Sequence, residues 1–565
     1  MEIEENLKLS CAKNSESAVI EPQALLSPNI HGFRTDGRET QTRFHFRMDL
    51  CIGCHACEVA CNEQNGLPTD TAWRRVGEVE AGTFPDTKRF FISSGCNHCL
   101  DAPCMKGCPV DAYQVTKRGT VIHLDDVCIG CQYCVWNCPY QVPIFQKDRN
   151  IVTKCDLCTN RLDQDLDPAC VHACPAHAIQ IETLPLSEVF KTLVEEGRGP
   201  DMPDPMISMS STKITLPKEM REGMQEGMRI EDFRKPDREF VKPEDPHTPL
   251  IWMTLLTQLG FGGFTFIFIV DMLCRFLGSD PLVDKTMGWF SPSLIGIIGL
   301  SLAASTLHLG RPVYAVRAIK NWRTSWLSRE VIALSAFAGI AFLYSASLFL
   351  SAYFSAVPGW LHDSLRFTLG FLTVITGFFG IFASSMLYRV PARPAWNVLK
   401  TTVDFFLASC ILGPVVFIVS VGVSAWILTE TPEIFVRLCQ AASVFSLVLL
   451  LCKAALHSYH LKTWRESPAF ELSATVRLYE KYFRGLRYFK TVSLVLALFF
   501  LFRLMEGSVR PTDSAFLMFS GIALVLLSSV CWVDRYLFFV TVVPKNIPGN
   551  FLMSAHKVLN ESHVS

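Results

Sequence analysis

The pattern of apolar and polar positions changes once, sharply, along the 565 residues. Residues 1–247 are polar and charged, with only short strand-like alternations such as Thr120-Val121-Ile122-His123-Leu124. From residue 249 to about 540, apolar runs of roughly 20 residues dominate, each long enough to cross a hydrocarbon core about 30 Å thick. Eight such runs stand out, at 250–274, 288–308, 331–356, 367–388, 402–428, 434–455, 488–506 and 512–534. They predict an all-α bundle of eight transmembrane helices. Residues 1–43 lack periodicity and read as a polar N-terminal arm, and residues 44–185 as a compact α+β domain. The turn-rich residues 186–248 read as a linker with room for a surface helix over 216–235, residues 249–540 as the membrane anchor, and 541–565 as a tail.

Charge adds an orientation. On the side that bears the polar half, the loops and tail carry 19 Lys and Arg, against 6 on the other side. Basic residues accumulate on the cytoplasmic face, so the polar domain is expected to face the cytoplasm, with the helices in a bacterial inner membrane and bounded by lipid. The first residues show neither a basic start with an apolar core nor a twin-arginine motif, so no export signal is expected. The net charge of −1 gives no reason to expect a nucleic-acid partner.

Cysteine usage supplies the chemistry. Sixteen of the 22 cysteines lie between residues 51 and 174, in four groups of four. They are Cys51, Cys54, Cys57 and Cys61; Cys96, Cys99, Cys104 and Cys108; Cys128, Cys131, Cys134 and Cys138; and Cys155, Cys158, Cys170 and Cys174. The last three groups end in Cys-Pro. The first and third match the ferredoxin run Cys-x2-Cys-x2-Cys-x3-Cys, in which three thiolates wrap one cubane and the fourth reaches another. The second and fourth are stretched versions, the fourth with eleven residues between Cys158 and Cys170. Sixteen thiolates fit four 4Fe–4S clusters, in a tandem ferredoxin-like fold held by the centres as much as by a core. Zinc knuckles would come as paired Cys-x2-Cys separated by a longer span. Disulfides suit small secreted chains.

The stretch resembles the four-cluster iron–sulfur subunits of membrane-bound molybdopterin oxidoreductases of the dimethyl sulfoxide reductase type. The likeness rests on Cys96-Asn97-His98-Cys99, Asp101-Ala102-Pro103-Cys104, Cys128-Ile129-Gly130-Cys131 and Thr153-Lys154-Cys155-Asp156-Leu157-Cys158. It implies that the first group pairs with the fourth and the second with the third, each lending its last cysteine to its mate. Some relatives replace a third-group cysteine with Trp; Cys131 is present here, so four cubanes are expected. His98 is a candidate to tune a cluster by hydrogen bonding.

Histidines test for haem. His308, His457 and His460 lie at or beyond span ends, so no haem is expected. The segments Ser305-Thr306-Leu307-His308-Leu309-Gly310-Arg311-Pro312 and Ser328-Arg329-Glu330 resemble the haem-free, eight-helix quinol-binding anchor of the same family. That resemblance implies that His308 and Glu330 bind a quinone or quinol, with Arg311 a candidate for an anionic state of it. Quinone chemistry moves two protons with two electrons and needs titratable groups nearby. Asp271, Asp404, Lys453 and Asp534 lie near span ends and form no chain across the bilayer, so no proton pump is expected. The cysteines within the spans read as small packing residues.

The reading is a fusion of an electron wire with a quinone-reacting anchor. Nothing resembles a molybdopterin-binding domain, so a separate catalytic subunit acting on a small sulfur compound is expected, by sulfite oxidation or dimethyl sulfoxide-type reduction. The rival is a membrane-bound iron–sulfur redox sensor with no catalytic partner, for which one cluster would suffice.

Overall fold

The computed structural model describes residues 38–545, except 70, 83–84, 201, 226–240, 278–280, 354–358, 429–432 and 508. Most of the N-terminal arm, most of the tail and the second half of the 216–235 segment therefore lie outside the described residues. The rest falls into two compact units. The first takes in the described residues up to Ala102, with Gln114–Ile122 and Cys155–Arg234; the second comprises Pro103–Tyr113, His123–Lys154 and the chain from Lys235 onward.

In chain order the polar half forms β1 (Thr40–Arg47), α1 (Ala56–Asn65), β2 (Arg75–Ala81), β3 (Lys88–Ser94), α2 (Pro103–Gly107), β4 (Tyr113–Val115) and β5 (Val121–His123). It continues with α3 (Tyr133–Asn137), β6 (Ile144–Gln146), β7 (Ile151–Thr153), α4 (Thr159–Leu162), α5 (Ala169–His172), β8 (Ile179–Pro185), α6 (Leu186–Glu196), β9 (Lys213–Thr215) and α7 (Lys218–Gln225). In the first unit β1 is the central strand of a three-stranded sheet, antiparallel to β8 and parallel to β9. Its Arg43 is buried yet doubly paired, at 2.6 Å to both Glu182 and Glu196, so the charge is compensated where water is absent. The segment after residue 185 is not a bare tether. It supplies β9 to the sheet, and Val189, Phe190 and Leu193 of α6 pack on Leu100.

The second unit carries the eight long apolar helices expected from the hydropathy: α8 (Thr248–Leu277), α9 (Pro281–Leu307), α10 (Trp326–Tyr353), α11 (Gly359–Tyr388), α12 (Leu399–Leu428), α13 (Glu433–Arg465), α15 (Arg484–Met505) and α16 (Ser514–Val540), with the short α14 (Phe470–Lys481) between α13 and α15. They make a mixed α+β domain followed by an α-helical anchor. α8 and α12 are the most enclosed. They cross where Gly262 meets the Ser409 carbonyl and Gly413, a contact no Cβ would permit. Small residues let backbones approach in this way where apolar lipid gives helices no other reason to associate. Outward-facing Phe276, Leu300 and Trp426 are exposed, as lipid-facing positions must be. Helix α13 outruns its apolar stretch by about three turns, reaching Arg465 and carrying His457 and His460 inside the helix.

At the bundle end opposite His308, Arg366 is fully buried between Asp271 (2.6 Å) and Asp284 (2.8 Å), and the Tyr344 hydroxyl donates to Asp271 at 3.3 Å. Hydropathy reading gave Asp271 no partner; the fold supplies one from a helix 95 residues away. Breaking a buried pair by removing one member costs about 3–5 kcal/mol, because the other charge stays buried. Arg366→Leu is expected to lower the thermal midpoint of the detergent-solubilised chain markedly. Adding Asp271→Leu should recover much of the loss; equal midpoints for the single and double variants would refute the pairing.

Candidate functional site

The four cysteine groups share one local geometry. Two residues after the first cysteine of each group, the backbone turns left-handed, at Gly53, His98, Gly130 and Leu157 (φ 68, 41, 69 and 64°). Only Gly adopts this conformation without cost, so its recurrence at His98 and Leu157 signals a constraint stronger than local preference. The turn points an amide at sulfur: His98 N–H donates to Cys96 Sγ at 3.4 Å, Gly130 to Cys128 at 3.4 Å and Leu157 to Cys155 at 3.5 Å. After Cys-Pro the same device recurs, Ala112 donating to Cys108 and Ala178 to Cys174, each at 3.2 Å. Amides aimed at sulfur stabilise thiolates, the form that binds iron.

Within the first unit, the first and fourth groups lie together. Cys51 is close enough to Cys174, and Cys61 to Cys158 and Cys170, for their charges to interact. Buried among them is Arg74, 3% exposed. Burial works against its charge, but the neighbouring sulfurs of Cys170, Cys57, Cys155 and Cys61 outweigh this and hold it protonated above its usual range. Its Nη1 donates to Ser93 Oγ at 3.1 Å, and Ser93 lies 3.3 Å from Cys57 Sγ. Its Nη2 is buried with no hydrogen-bond partner among the described residues. An orphaned guanidinium nitrogen beside four thiols fits a negatively charged centre, as a thiolate-bound iron–sulfur cluster is. His98 sits here too: its Nδ1 accepts from Val121 N–H at 3.2 Å, which leaves the proton on Nε2, 4.0 Å from Cys155 Sγ. None of the sixteen cysteines is in a disulfide.

The third group belongs to the second unit, with Cys108 close to Cys128 and Cys131. Its loop is seated on the turn that follows α9. Gly310 N–H donates to the Gly130 carbonyl at 3.3 Å, and Arg311 N–H to Ile129 at 3.0 Å. A Cβ on Gly130 would come within 2.9 Å of Gly310 Cα, and one on Gly310 would collide with the Asn150 carbonyl. The next turn, a 3₁₀ segment at Pro312–Ile319, leads to Asn321 and Ser325. Asn321 Nδ2 donates to the Cys108 carbonyl at 2.9 Å and Ser325 Oγ to Gly107 at 2.7 Å.

Beside this seat lies a cavity of about 340 Å³. Cys131 and Ile129 form one wall, His308 and Glu330 another, and Tyr133, Trp136 and Tyr388 add aromatic surface. Two of the three sequence candidates therefore meet in one space. Glu330 is 4% exposed, and Nδ1 of His308 is buried, facing the Ser305 backbone but with no well-formed hydrogen bond among the described residues. Arg311 does not line the cavity: its guanidinium donates to the Asp125 carbonyl at 3.0 Å, fixing the cysteine loop instead. Trp136, from Cys134-Val135-Trp136-Asn137-Cys138, packs on Tyr388 (5.8 Å), Trp396 (5.5 Å) and His247 (5.1 Å). Its large apolar side chain inside a cysteine group was the signal that sequence reading passed over.

Residues 87–184 match the family described as the 4Fe-4S dicluster domain. Residues 244–540, more than half of the protein, match the family described as the DMSO reductase anchor subunit (DmsC). The protein belongs to the DMSO reductase anchor family. It joins that anchor to an iron–sulfur domain in one polypeptide, and its role is that of a non-catalytic electron-transfer subunit. A sulfite dehydrogenase subunit of Allochromatium vinosum is 35% identical over 189 residues, covering 29% of this chain and 79% of that protein. An anaerobic dimethyl sulfoxide reductase component of Escherichia coli is 34% identical over 160 residues, 27% of this chain and 77% of its own. The arsenate respiratory reductase iron-sulfur subunit ArrB of a Shewanella strain is 34% identical over 212 residues, 27% and 91% respectively.

Gly310→Ala inserts a methyl group into the anchor–loop seat, and such overpacking costs about 1–3 kcal/mol. Hydrogen exchange at the Gly310 and Arg311 amides should accelerate in that variant. Gly299→Ala, with open space around it, should leave both amides protected; equal exchange in the two variants would disprove the seat.

Proposed function

We propose that the chain carries electrons between the membrane quinone pool and a separate molybdopterin-containing catalytic subunit acting on a small sulfur compound. The observation that carries this reading is the single cavity with Cys131 on one wall and His308 with Glu330 on another. The sixteen cysteines are assigned as ligands of four 4Fe–4S clusters, which supply one-electron storage when bound. The sulfur-directed amides and the orphaned Arg74 nitrogen support that assignment.

In quinol oxidation two electrons and two protons leave the headgroup. The cavity is sized for a ring held against aromatic walls, and its two titratable groups are placed to take the protons. His308 offers a buried imidazole whose Nδ1 makes no well-formed hydrogen bond among the described residues, and Glu330 a carboxylate in an almost dry site. The third-group loop faces the same space, so electrons and protons part company within one cavity. Arg311 acts at one remove, holding the loop through Asp125. In the opposite direction the same groups return protons to a reduced quinone. Val313 and Val316, 87% and 78% exposed on the 3₁₀ segment, make a lipid-facing edge beside the cavity, suited to entry of an apolar ligand.

Substrate direction follows the partner. The relatives include subunits of a sulfite dehydrogenase and of a dimethyl sulfoxide reductase. The excess of Lys and Arg in the loops on the iron–sulfur side supports a cytoplasmic location for that domain.

Three outcomes test the proposal. His308→Ala or Glu330→Gln should slow quinol-driven cluster reduction by about 10²-fold or more while dithionite still reduces the clusters fully; unchanged quinol rates would remove the cavity from the mechanism. Arg74→Gln should make the midpoint potential of a first- or fourth-group cluster more negative, since removing a buried positive charge disfavours the added electron. The scale for one such charge is on the order of 50–100 mV, and unaltered redox titrations would dissociate Arg74 from the clusters. In sealed right-side-out vesicles, protease should leave the iron–sulfur domain intact; its cleavage there would reverse the orientation.

A further inference from the structure

The second half of the anchor contains another cavity, of about 430 Å³, lined by the ends of α12, α13, α15 and α16 with α14 beneath. None of the four cysteine groups contributes to its lining, the one cysteine there being Cys531 of α16, so no proposed cluster ligand borders it. Its character is cationic. Lys400, Lys453, Arg487, Lys490 and Arg535 face it, against Asp404, Glu480 and Asp534.

The pairing leaves charge over. Lys400 is bonded to Asp404 and Glu480 to Arg465, which is outside the cavity. Asp534 is shared, with Lys453 Nζ at 2.9 Å and Lys490 Nζ at 2.5 Å. One carboxylate therefore serves two ammonium groups, Lys453 buried and Lys490 partly buried. Arg535 is only 8% exposed, and among the described residues its guanidinium makes no hydrogen bond or ion pair. It lies 3.8 Å over the Phe405 ring and 5.4 Å from that of Phe538, and rings attract a cation without neutralising it. Surplus positive charge in a bundle interior is costly unless an anion accompanies it.

The remaining walls identify the anion's class. Leu450, Leu461, Leu494 and Val530 are apolar, while Ser458 and Thr491 place hydroxyls among the cations. A small inorganic anion would leave the apolar side unfilled; an amphiphile with a charged head uses both. Basic pockets between transmembrane helices suit anionic lipid heads for this reason. We propose that this cavity binds the phosphate group of an anionic phospholipid, with Arg535, Lys453 and Lys490 as its cationic contacts.

The test uses the full chain, purified and delipidated in a neutral detergent. Native mass spectrometry after adding phosphatidylglycerol should show one tightly retained lipid per chain, with phosphatidylcholine retained at least tenfold more weakly. Thermal midpoints should rise with phosphatidylglycerol and stay unchanged with millimolar inorganic phosphate. Arg535→Gln and Lys490→Gln should each weaken phosphatidylglycerol retention at least tenfold, and Lys285→Gln, away from the cavity, should not. Equal retention of the two lipids by the unaltered chain would overturn the proposal, whether or not the variants fold. Equal protection by inorganic phosphate would overturn the lipid assignment and leave a free oxyanion site.

Discussion

A helix that ends at a membrane surface leaves carbonyls and amides without partners, and they must be satisfied before that end can be ordered. After α9 the chain does not coil straight into the next helix. It makes an irregular turn whose amides at Gly310 and Arg311 bond to the carbonyls of Gly130 and Ile129 in a cysteine loop. The cysteine segments are equally dependent, because the carbonyl of the left-handed Gly130 accepts from Gly310, and those of Gly107, Cys108 and Pro109 at the end of the second group accept from the anchor's Ser325, Asn321 and Ser328. Each irregular segment completes the other's hydrogen bonding. That mutual completion puts Cys131 on the wall of a cavity that also holds His308, and both proposed ends of the quinone reaction follow from it.

The two ends of the helical bundle handle buried charge differently. At one end Arg366 is met by two carboxylates and a tyrosine network, and Arg275 is paired with Asp271. Positive and negative groups are matched, and the arrangement holds helices together. At the other end Asp534 is outnumbered, and Arg535 lies over the rings of Phe405 and Phe538 with no hydrogen bond or ion pair of its own among the described residues. Desolvation makes an unmatched cation expensive in either place. A surplus kept beside a cavity, rather than packed away, therefore speaks for an external counter-charge. The contrast separates Asp271, a structural tie, from Asp534, part of a binding surface, although both lie near span ends and look alike in the sequence.

How much could be read from the sequence depended on how local each signal is. Cysteine spacing is set within single loops, so the sixteen-cysteine pattern and its iron–sulfur character were visible, as were the eight apolar spans. The histidine and glutamate of the cavity were named because the segments around them resemble a haem-free quinol-binding anchor, not because any local pattern joins them; it is the fold that brings the two to one cavity. Arg311 looked equivalent but points to a backbone carbonyl, which no one-dimensional pattern reports. Arg74 meets thiols almost a hundred residues on, and the tie between Asp271 and Arg366 joins two helices distant in the chain. The strand β9 lies in a stretch whose prolines and charges read as a linker; only its pairing with β1 reveals it.

Trp136 links these themes. It lies inside the third cysteine group, so its position along the chain is fixed by cluster chemistry, yet its contacts are with Tyr388, Trp396 and Phe539 of the anchor. Trp396 in turn stacks on Phe538 at 4.9 Å, and both line the cationic cavity, while Trp136 and Tyr388 line the other. One aromatic layer therefore separates the proposed quinone site from the proposed lipid site. Aromatic rings bury large area with few rotatable bonds, so the layer makes a rigid partition that keeps each ligand in its own half of the anchor. Trp396 also donates its Nε1–H to the Phe538 carbonyl at 2.8 Å, fixing the partition to the end of the last helix. A lipid held against that helix would brace the wall behind the quinone cavity without touching the redox groups.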